Sequence, residues 1–328
     1  MIKLEQAGFP SKYLDCYESA LMAILKYMGL LDETPLMGTQ AYFVLKKEHL
    51  SVYPRFHLIH EEWKRIHGLV VKTVPVDDET DLQSQIEDRL GSGMPVCLTT
   101  DIYFLPHTSY HERLHQMHFI DVFGYDDERY YTVCPYYRFE GWMSKDVLHT
   151  SFLSPATESK CLMFVPELKC EALSADQVHN LVRENCEYML GLVVPEEQSG
   201  TDPRYLGLAG IRTYSAFLQE LAASPGDLPN QAAMLSAQTM AIGYSRYWFH
   251  RLLKESLPAD VIDVLEIQFT DVVRSWKATG ARFGAAVLAD NREMMKRAAR
   301  RLEDVYEQEY QVSNYLLGAL PDYEEGKF

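Results

Sequence analysis

The chain of 328 residues carries 31 Lys and Arg against 47 Asp and Glu, a formal net charge of −16, with 47% hydrophobic and 24% charged residues. That is globular composition, with material for one large domain or two ordinary ones. The acidic excess excludes a general nucleic-acid binder, whose basic face must displace counterions from phosphate, and it disfavours anionic membrane surfaces.

No run approaches the ~18–20 apolar residues that a spanning helix needs. The first 15 residues, MIKLEQAGFPSKYLD, lack the apolar stretch of an export signal, so the expected compartment is the cytoplasm. Six cysteines at 16, 97, 134, 161, 170 and 186 are scattered without a CxxC pair, which reads as reduced thiols.

The first predicted helix opens at Asp15-Cys16-Tyr17-Glu18 and ends at Gly29. Asp15 with Glu18 three residues on is a capping-box pattern, and Gly29 suits the left-handed position past a helix end. Ala20, Leu21, Ala23, Ile24, Tyr27 and Met28 give a buried stripe, so Cys16 sits in the first turn of a largely buried helix. The unpaired N–H groups and dipole at that end favour a thiolate and supply half of an oxyanion hole. The alternative is a small buried cysteine with no chemistry.

Val70–Val74, Val96–Thr100, Phe119–Tyr125, Tyr130–Val133 and Leu162–Val165 then read as short strands, with helical spacing over Asp81–Leu90 and Trp142–Leu148. No glycine-rich phosphate loop follows any strand. His49, His57, His60 and His67 lie loosely around Trp63 and read as surface or satisfied histidines.

His107, His111, His115 and His118 in HTSYHERLHQMH would share a face on a continuous helix, as a zinc site requires. No glutamate occupies the metalloprotease position, however, and Pro106 and the strand that begins at Met117 leave little room for a helix. The strand reading gives His118 another role. Met117–Tyr125 and Arg129–Cys134 flank the turn Asp126-Asp127-Glu128, pairing Tyr125 with Arg129 and Ile120 with Cys134. His118 then shares a face with Cys134, with Asp121 on the other face, a base-and-orienter arrangement for a cysteine nucleophile.

From about Ala172 the texture changes to long amphipathic stretches: 175–190, 203–223, 231–255, 259–288 and 291–317. They are punctuated by Ser224-Pro225-Gly226 and Pro258. The expected class is α+β: a mixed domain over 1–168 followed by an all-helical domain over 172–328.

A cysteine opening a buried helix, His118 opening a strand that ends in Gly124-Tyr125-Asp126, and a third position 16 residues after the histidine resemble the papain-like fold, in its C39-type peptidase variants. The stretch Gly93-Met94-Pro95-Val96, Asp101 to His107, Tyr110 and His118 to Asp126 resembles the N-terminal domain of the butirosin biosynthesis protein H family. Ser245 to Glu255 resembles part of that family's helical second domain.

The resemblance implies a cysteine-dependent acyltransferase: an acyl group leaves the phosphopantetheine thioester of an acyl carrier protein or peptidyl carrier domain, loads onto Cys16, and passes to an amine small molecule in specialised-metabolite biosynthesis. It implies no bound cofactor or metal. Two departures stand out. Cys134-Pro135 replaces the expected Asp-Pro, removing the usual carboxylate orienter; the alternatives are a weak hydrogen bond between Cys134 and His118 or another group in its place, with Asp101 the first candidate. Pro10 replaces the glutamine that C39-type peptidases carry before the cysteine. Losing an orienter commonly slows catalysis without erasing it.

Tyr103, Tyr110, Tyr136 and Tyr137 are the expected substrate-binding wall. The Arg292, Lys296, Arg297, Arg300, Arg301 cluster offers a docking face for an acidic carrier, centred on Arg297 and Arg301, against the alternative of local pairs with Glu293, Glu303 and Asp304. The helical domain is left as acceptor wall, carrier dock or homodimer interface. A peptidase or amidase, a chain-releasing cyclase, and a non-catalytic scaffold with a decayed site remain the alternatives.

Overall fold

The computed structural model describes the chain except residues 6–7, 48–50, 77, 158, 196–200, 225–227 and 321–328, and describes 228–234 by backbone only. His49, Pro225 and Gly226 therefore lie outside the described residues. The chain forms two compact units, one of Met1–Glu33 with Ile59–Glu171, the other of Thr34–Leu58 with Ala172–Phe328.

The first unit is α+β. Its sheet is antiparallel, in the order β4 (Lys72–Pro75), β9 (Cys161–Phe164), β5 (Val96–Asp101), β6 (Met117–Tyr125), β7 (Arg129–Cys134) and β8 (Phe139–Ser144), with β1 (Ile2–Lys3) added to the end of β6. Gly124 is required there, because a Cβ would collide with the Ile2 carbonyl. Three helices pack on the sheet: α1 (Cys16–Tyr27), α4 (Glu79–Gly91) and α5 (Lys145–Leu153). Leu82, Ile86 and Leu90 of α4 and Leu148 and Phe152 of α5 bury one sheet face with Val96, Leu98, Ile120, Val122 and Leu162. On a pleated strand the alternate residues face the other way. Phe119 and Phe123 accordingly lie under Tyr17 and Tyr27 of α1. A further helix, α3 (Ile59–His67), also belongs to this unit.

The β6–β7 hairpin differs from the simple register. Tyr125 pairs with Tyr130 and Gly124 with Tyr131, one residue off the expected pairing, but an irregularity between Val122 and Gly124 absorbs the difference. Beyond it Asp121 pairs with Val133, as a three-residue loop requires. The helix expected over Trp142–Leu148 is instead the end of β8 and the start of α5. Tyr131 captures Trp142 as its cross-strand partner, rings 5.3 Å apart, and this tertiary pairing overrides the local helical spacing.

The second unit is helical: α6 (Ala175–Leu190), α7 (Gly207–Ala223), α8 (Leu228–Ser256), α9 (Ala259–Leu288) and α10 (Arg292–Ala319). It also takes in Thr34–Leu58, which the linear division at 168–172 assigns to the first domain. This segment holds α2 (Thr34–Met37) and a small hairpin of β2 (Val44–Lys46) and β3 (Ser51–Tyr53). The reason is side-chain burial. Phe43 stacks on Trp276, and Arg246, fully buried, donates to the Tyr42 carbonyl at 2.6 Å and to Glu309 at 2.7 Å, which also accepts from Trp276 Nε1. No helix among the described residues is long and apolar enough to cross a membrane.

Candidate active site

The site forms at one end of the sheet. Tyr17, near the start of α1, packs on Phe119 with ring centroids 4.7 Å apart, and Tyr27, at its end, packs on Phe123 at 5.7 Å. Ten helical residues rise about 15 Å and four strand residues about 13 Å, so α1 and β6 run side by side in the same direction. The helix N-terminus and the strand start therefore share an end.

At that end the capping box forms as the sequence dictates. The Asp15 carboxylate accepts from the Glu18 N–H at 2.8 Å, and the Glu18 carboxylate accepts from the Asp15 N–H at 3.0 Å. Cys16 is the first helical residue. Its sulfur lies beside its own N–H and that of Tyr17, both of which favour a thiolate. The expected drop in its pKa does not occur. Cys16 keeps partial exposure, but the protein packed around its sulfur desolvates the anion, and Asp15 and Cys134 add negative charge; together they push the thiol well above its ordinary value. Burial wins over the helix terminus.

His118, the second residue of β6, is buried. Its Nε2 meets the Cys134 sulfur at 3.1 Å, while among the described residues its Nδ1 makes no hydrogen bond. Tyr136 and Tyr137, presented by a turn in which Arg138 adopts a left-handed φ of 54°, set their rings 6.1 and 5.4 Å from the His118 ring. No hydrogen bond joins Cys16 to His118. Cys16 enters the cluster as an electrostatic neighbour of Cys134 and Tyr137.

The charges follow from this packing. Burial, aided by nearby His107, pushes His118 down to about 3, because nothing beside the ring offsets an imidazolium charge. Burial pushes Cys134 up to about 12. Both partners of the 3.1 Å contact are thus neutral at physiological pH. A neutral His118 acts as a base through Nδ1 only if Nε2 carries the proton and donates it to the Cys134 sulfur.

Asp101 does not substitute as orienter. Its buried carboxylate accepts from Ser154 at 2.6 Å and from the Tyr103 and Gln116 N–H groups, and it binds His115 Nδ1 at 2.7 Å. Burial works against its charge, but these donors outweigh it and hold the carboxyl below its ordinary range. Tyr103 stacks on His115, the Asp101 partner, at 4.0 Å. Tyr110 is exposed, an electrostatic neighbour of Tyr137.

The histidine run does not form a metal array. Glu112 takes a left-handed φ of 56°, which breaks any helix through it. His107 stacks on Phe139, His115 binds Asp101, and His118 binds Cys134. Among the described residues no three His, Cys, Asp or Glu side chains form a group able to hold a metal ion.

Arg297 is exposed and Arg301 half-buried on α10, and among the described residues neither forms a direct ion pair; Lys296 meets Glu293 at 2.8 Å, and Arg297 and Arg300 act on the same carboxylate from farther away. Three contacts escaped the sequence reading. Tyr17 and His60 Nδ1 are hydrogen-bonded, which makes His60 a satisfied histidine with a partner 43 residues away. His107 turns inward. Asp121 is fully buried opposite Cys97, whose thiol is its hydrogen-bonding neighbour. A carboxylate inside a β-branched run was the available signal for the last.

Residues 15–134 match the family model of butirosin biosynthesis protein H, N-terminal. The butirosin-H-like segment thus begins at the cap residue of α1 and ends at Cys134, spanning the cysteine, the histidine and the residue hydrogen-bonded to it. The helices of the second unit beyond Ala172 lie outside the match. A crystal structure described as a C39-like peptidase from Bacillus anthracis is similar over 51% of this chain and 98% of its own, at 13% identity and a TM-score of 0.36. No curated protein matches the sequence.

Proposed function

We propose that the papain-like unit is a cysteine-dependent acyltransferase that takes an acyl group from a carrier-bound phosphopantetheine thioester and delivers it to an amine. The observation that carries this reading is the disposition of His118. Its Nε2 is held by Cys134, its Nδ1 is unengaged, and it opens the strand at the end of the sheet where α1 opens on Cys16.

With thiol and imidazole both neutral at rest, the proton moves during attack rather than beforehand. As the Cys16 sulfur bonds to the thioester carbon, its proton passes to His118 Nδ1 and the carbonyl π pair moves to oxygen. The bond to the pantetheine sulfur then breaks, and that thiolate takes the proton from Nδ1. In the second half the amine attacks the acyl-cysteine, gives a proton to Nδ1, and the Cys16 sulfur leaves and recovers it. Tyr136 and Tyr137 form the substrate wall with Tyr110. Arg297 and Arg301, in no direct ion pair among the described residues, offer an acidic carrier complementary charge. The family name, butirosin biosynthesis protein H, supports a biosynthetic role.

A scaffold without turnover is the reading that the raised Cys16 thiol favours. Incubation of the full chain with a short acyl-pantetheine thioester, followed by intact-mass and peptide mass spectrometry, separates the two. Acylation of Cys16, absent in Cys16→Ala and slowed in His118→Ala, supports transfer; no adduct, or one at another cysteine, refutes it. Release of free acid in the presence of amines would make the unit a hydrolase, and release of a ring would make it a cyclase.

A further inference from the structure

A tetrahedral intermediate at Cys16 places a full negative charge on the former carbonyl oxygen, and stabilising that charge takes convergent hydrogen-bond donors. The start of α1 supplies backbone N–H groups from one side. The second donor has to come from elsewhere in the unit.

His107 has what such a donor needs. Its ring stacks on Phe139 with centroids 4.1 Å apart and planes 10° from parallel, which fixes its orientation. Phe139 pairs with Cys134 across β7 and β8, so the stack stands beside the His118 partner. Tyr137 packs against both histidines, 6.3 Å from His107 and 5.4 Å from His118. Both nitrogens of His107 are buried, and among the described residues neither has a hydrogen-bond partner. A buried N–H without an acceptor is costly and uncommon in a settled core. It becomes satisfied when an acceptor enters the site.

We propose that His107 donates the second hydrogen bond to the oxyanion formed when Cys16 attacks a thioester carbonyl, an inference that rests on the acyl-transfer reading above. Desolvation by burial, which pushes the ring down to about 4, suits the role. A neutral imidazole donates one N–H at every working pH and does not give up its proton to the intermediate. His107 forms no bond to the acyl group; it meets the oxygen only while that oxygen carries charge.

Two reactions at the same sulfur isolate this step. Alkylation by iodoacetamide displaces iodide at a saturated carbon and develops no oxyanion, whereas acylation by an acyl-N-acetylcysteamine thioester does. Both rates at Cys16 are followed by mass spectrometry in the full chain, in His107→Phe and in His107→Gln. Phenylalanine keeps the stack on Phe139, and glutamine keeps a donor. The expected result for His107→Phe is alkylation within about twofold of wild type and acylation slower by roughly 10²–10³-fold, with His107→Gln recovering part of the loss. Equal acylation in His107→Phe, or parallel loss of both reactions, overturns the oxyanion role. A wild-type chain alkylated but not acylated at Cys16 overturns it too, while one not alkylated there overturns the nucleophile reading beneath it.

Discussion

Replacing Cys134 by aspartate should enlarge the minor charged population of a Cys–His site that is neutral at rest. In the native protein, charging His118 is expensive: the fall from an ordinary 6.5 to about 3 corresponds to a cost on the order of 5 kcal/mol. The Cys134 sulfur, 3.1 Å from Nε2, is a weak acceptor and offsets little of it. A carboxylate at that position would accept the same proton in a charge-assisted bond worth about 1.5–3 kcal/mol, raising the population of thiolate with imidazolium roughly 10–150-fold. The assay is the second-order rate of iodoacetamide alkylation at Cys16 between pH 5 and 9. The native chain should show a rate that climbs only on the alkaline side, since its thiol is raised by burial and by Asp15 and Cys134. Cys134→Asp should react some 10–150-fold faster near pH 6 and keep its reactivity to lower pH, and His118→Ala in that background should cancel the gain. Superimposable profiles for the native chain and Cys134→Asp would refute the claim that the residue at 134 controls the charge on His118. A melting curve checks folding, because the new carboxylate is itself buried.

Acid unfolding gives a second test. His118 stays neutral in the fold down to about 3 but titrates near 6.5 when unfolded, so between these values the unfolded chain binds more protons and stability falls with pH, by up to ~1.4 kcal/mol per pH unit. Urea titrations of His118→Phe should show a shallower loss across that window, and an unchanged slope would count against the burial argument. Asp121 works in the opposite sense: burial raises its carboxyl, so the stability tied to its protonated form is present below its unfolded pKa and lost as pH rises through the folded one. Asp121→Asn should therefore gain stability over the native chain increasingly from pH 4 to pH 8; a constant difference would mean that the carboxyl has an unseen partner. Charge reversal at Arg297 and Arg301 should raise the apparent KM for a carrier-bound thioester while leaving that for a free pantetheine thioester unchanged, and equal values for both donors would dismiss docking on α10.

Much of the local structure was legible because it depends on neighbours in the chain. Asp15 and Glu18 form their capping box from groups three residues apart, and the ends of α6 and α9 coincide with the amphipathic pattern. The face shared by His118 and Cys134 follows from strand alternation and a three-residue loop. It survived the irregularity at Val122–Gly124 because the extra residue is absorbed on the turn side of both positions. The α+β class, with helices over the C-terminal half, rests on the same short-range periodicities.

What the sequence could not decide was everything set by burial and by distant partners. Whether Cys16 is acidic or basic turns on two opposed effects at one sulfur, and only the packed structure shows desolvation exceeding the pull of the helix N-terminus. Asp101 looked available to His118, but Ser154, 53 residues away, and His115 claim its carboxylate. Thr34–Leu58 reads as part of the first domain along the chain, yet Phe43 and Tyr42 are held by Trp276 and Arg246, more than 200 residues on. His107 and Trp142 likewise took their positions from aromatic partners on other strands. Capping and periodicity act within a few residues and are encoded there; desolvation, stacking and the choice among competing hydrogen-bond partners exist only once remote segments meet.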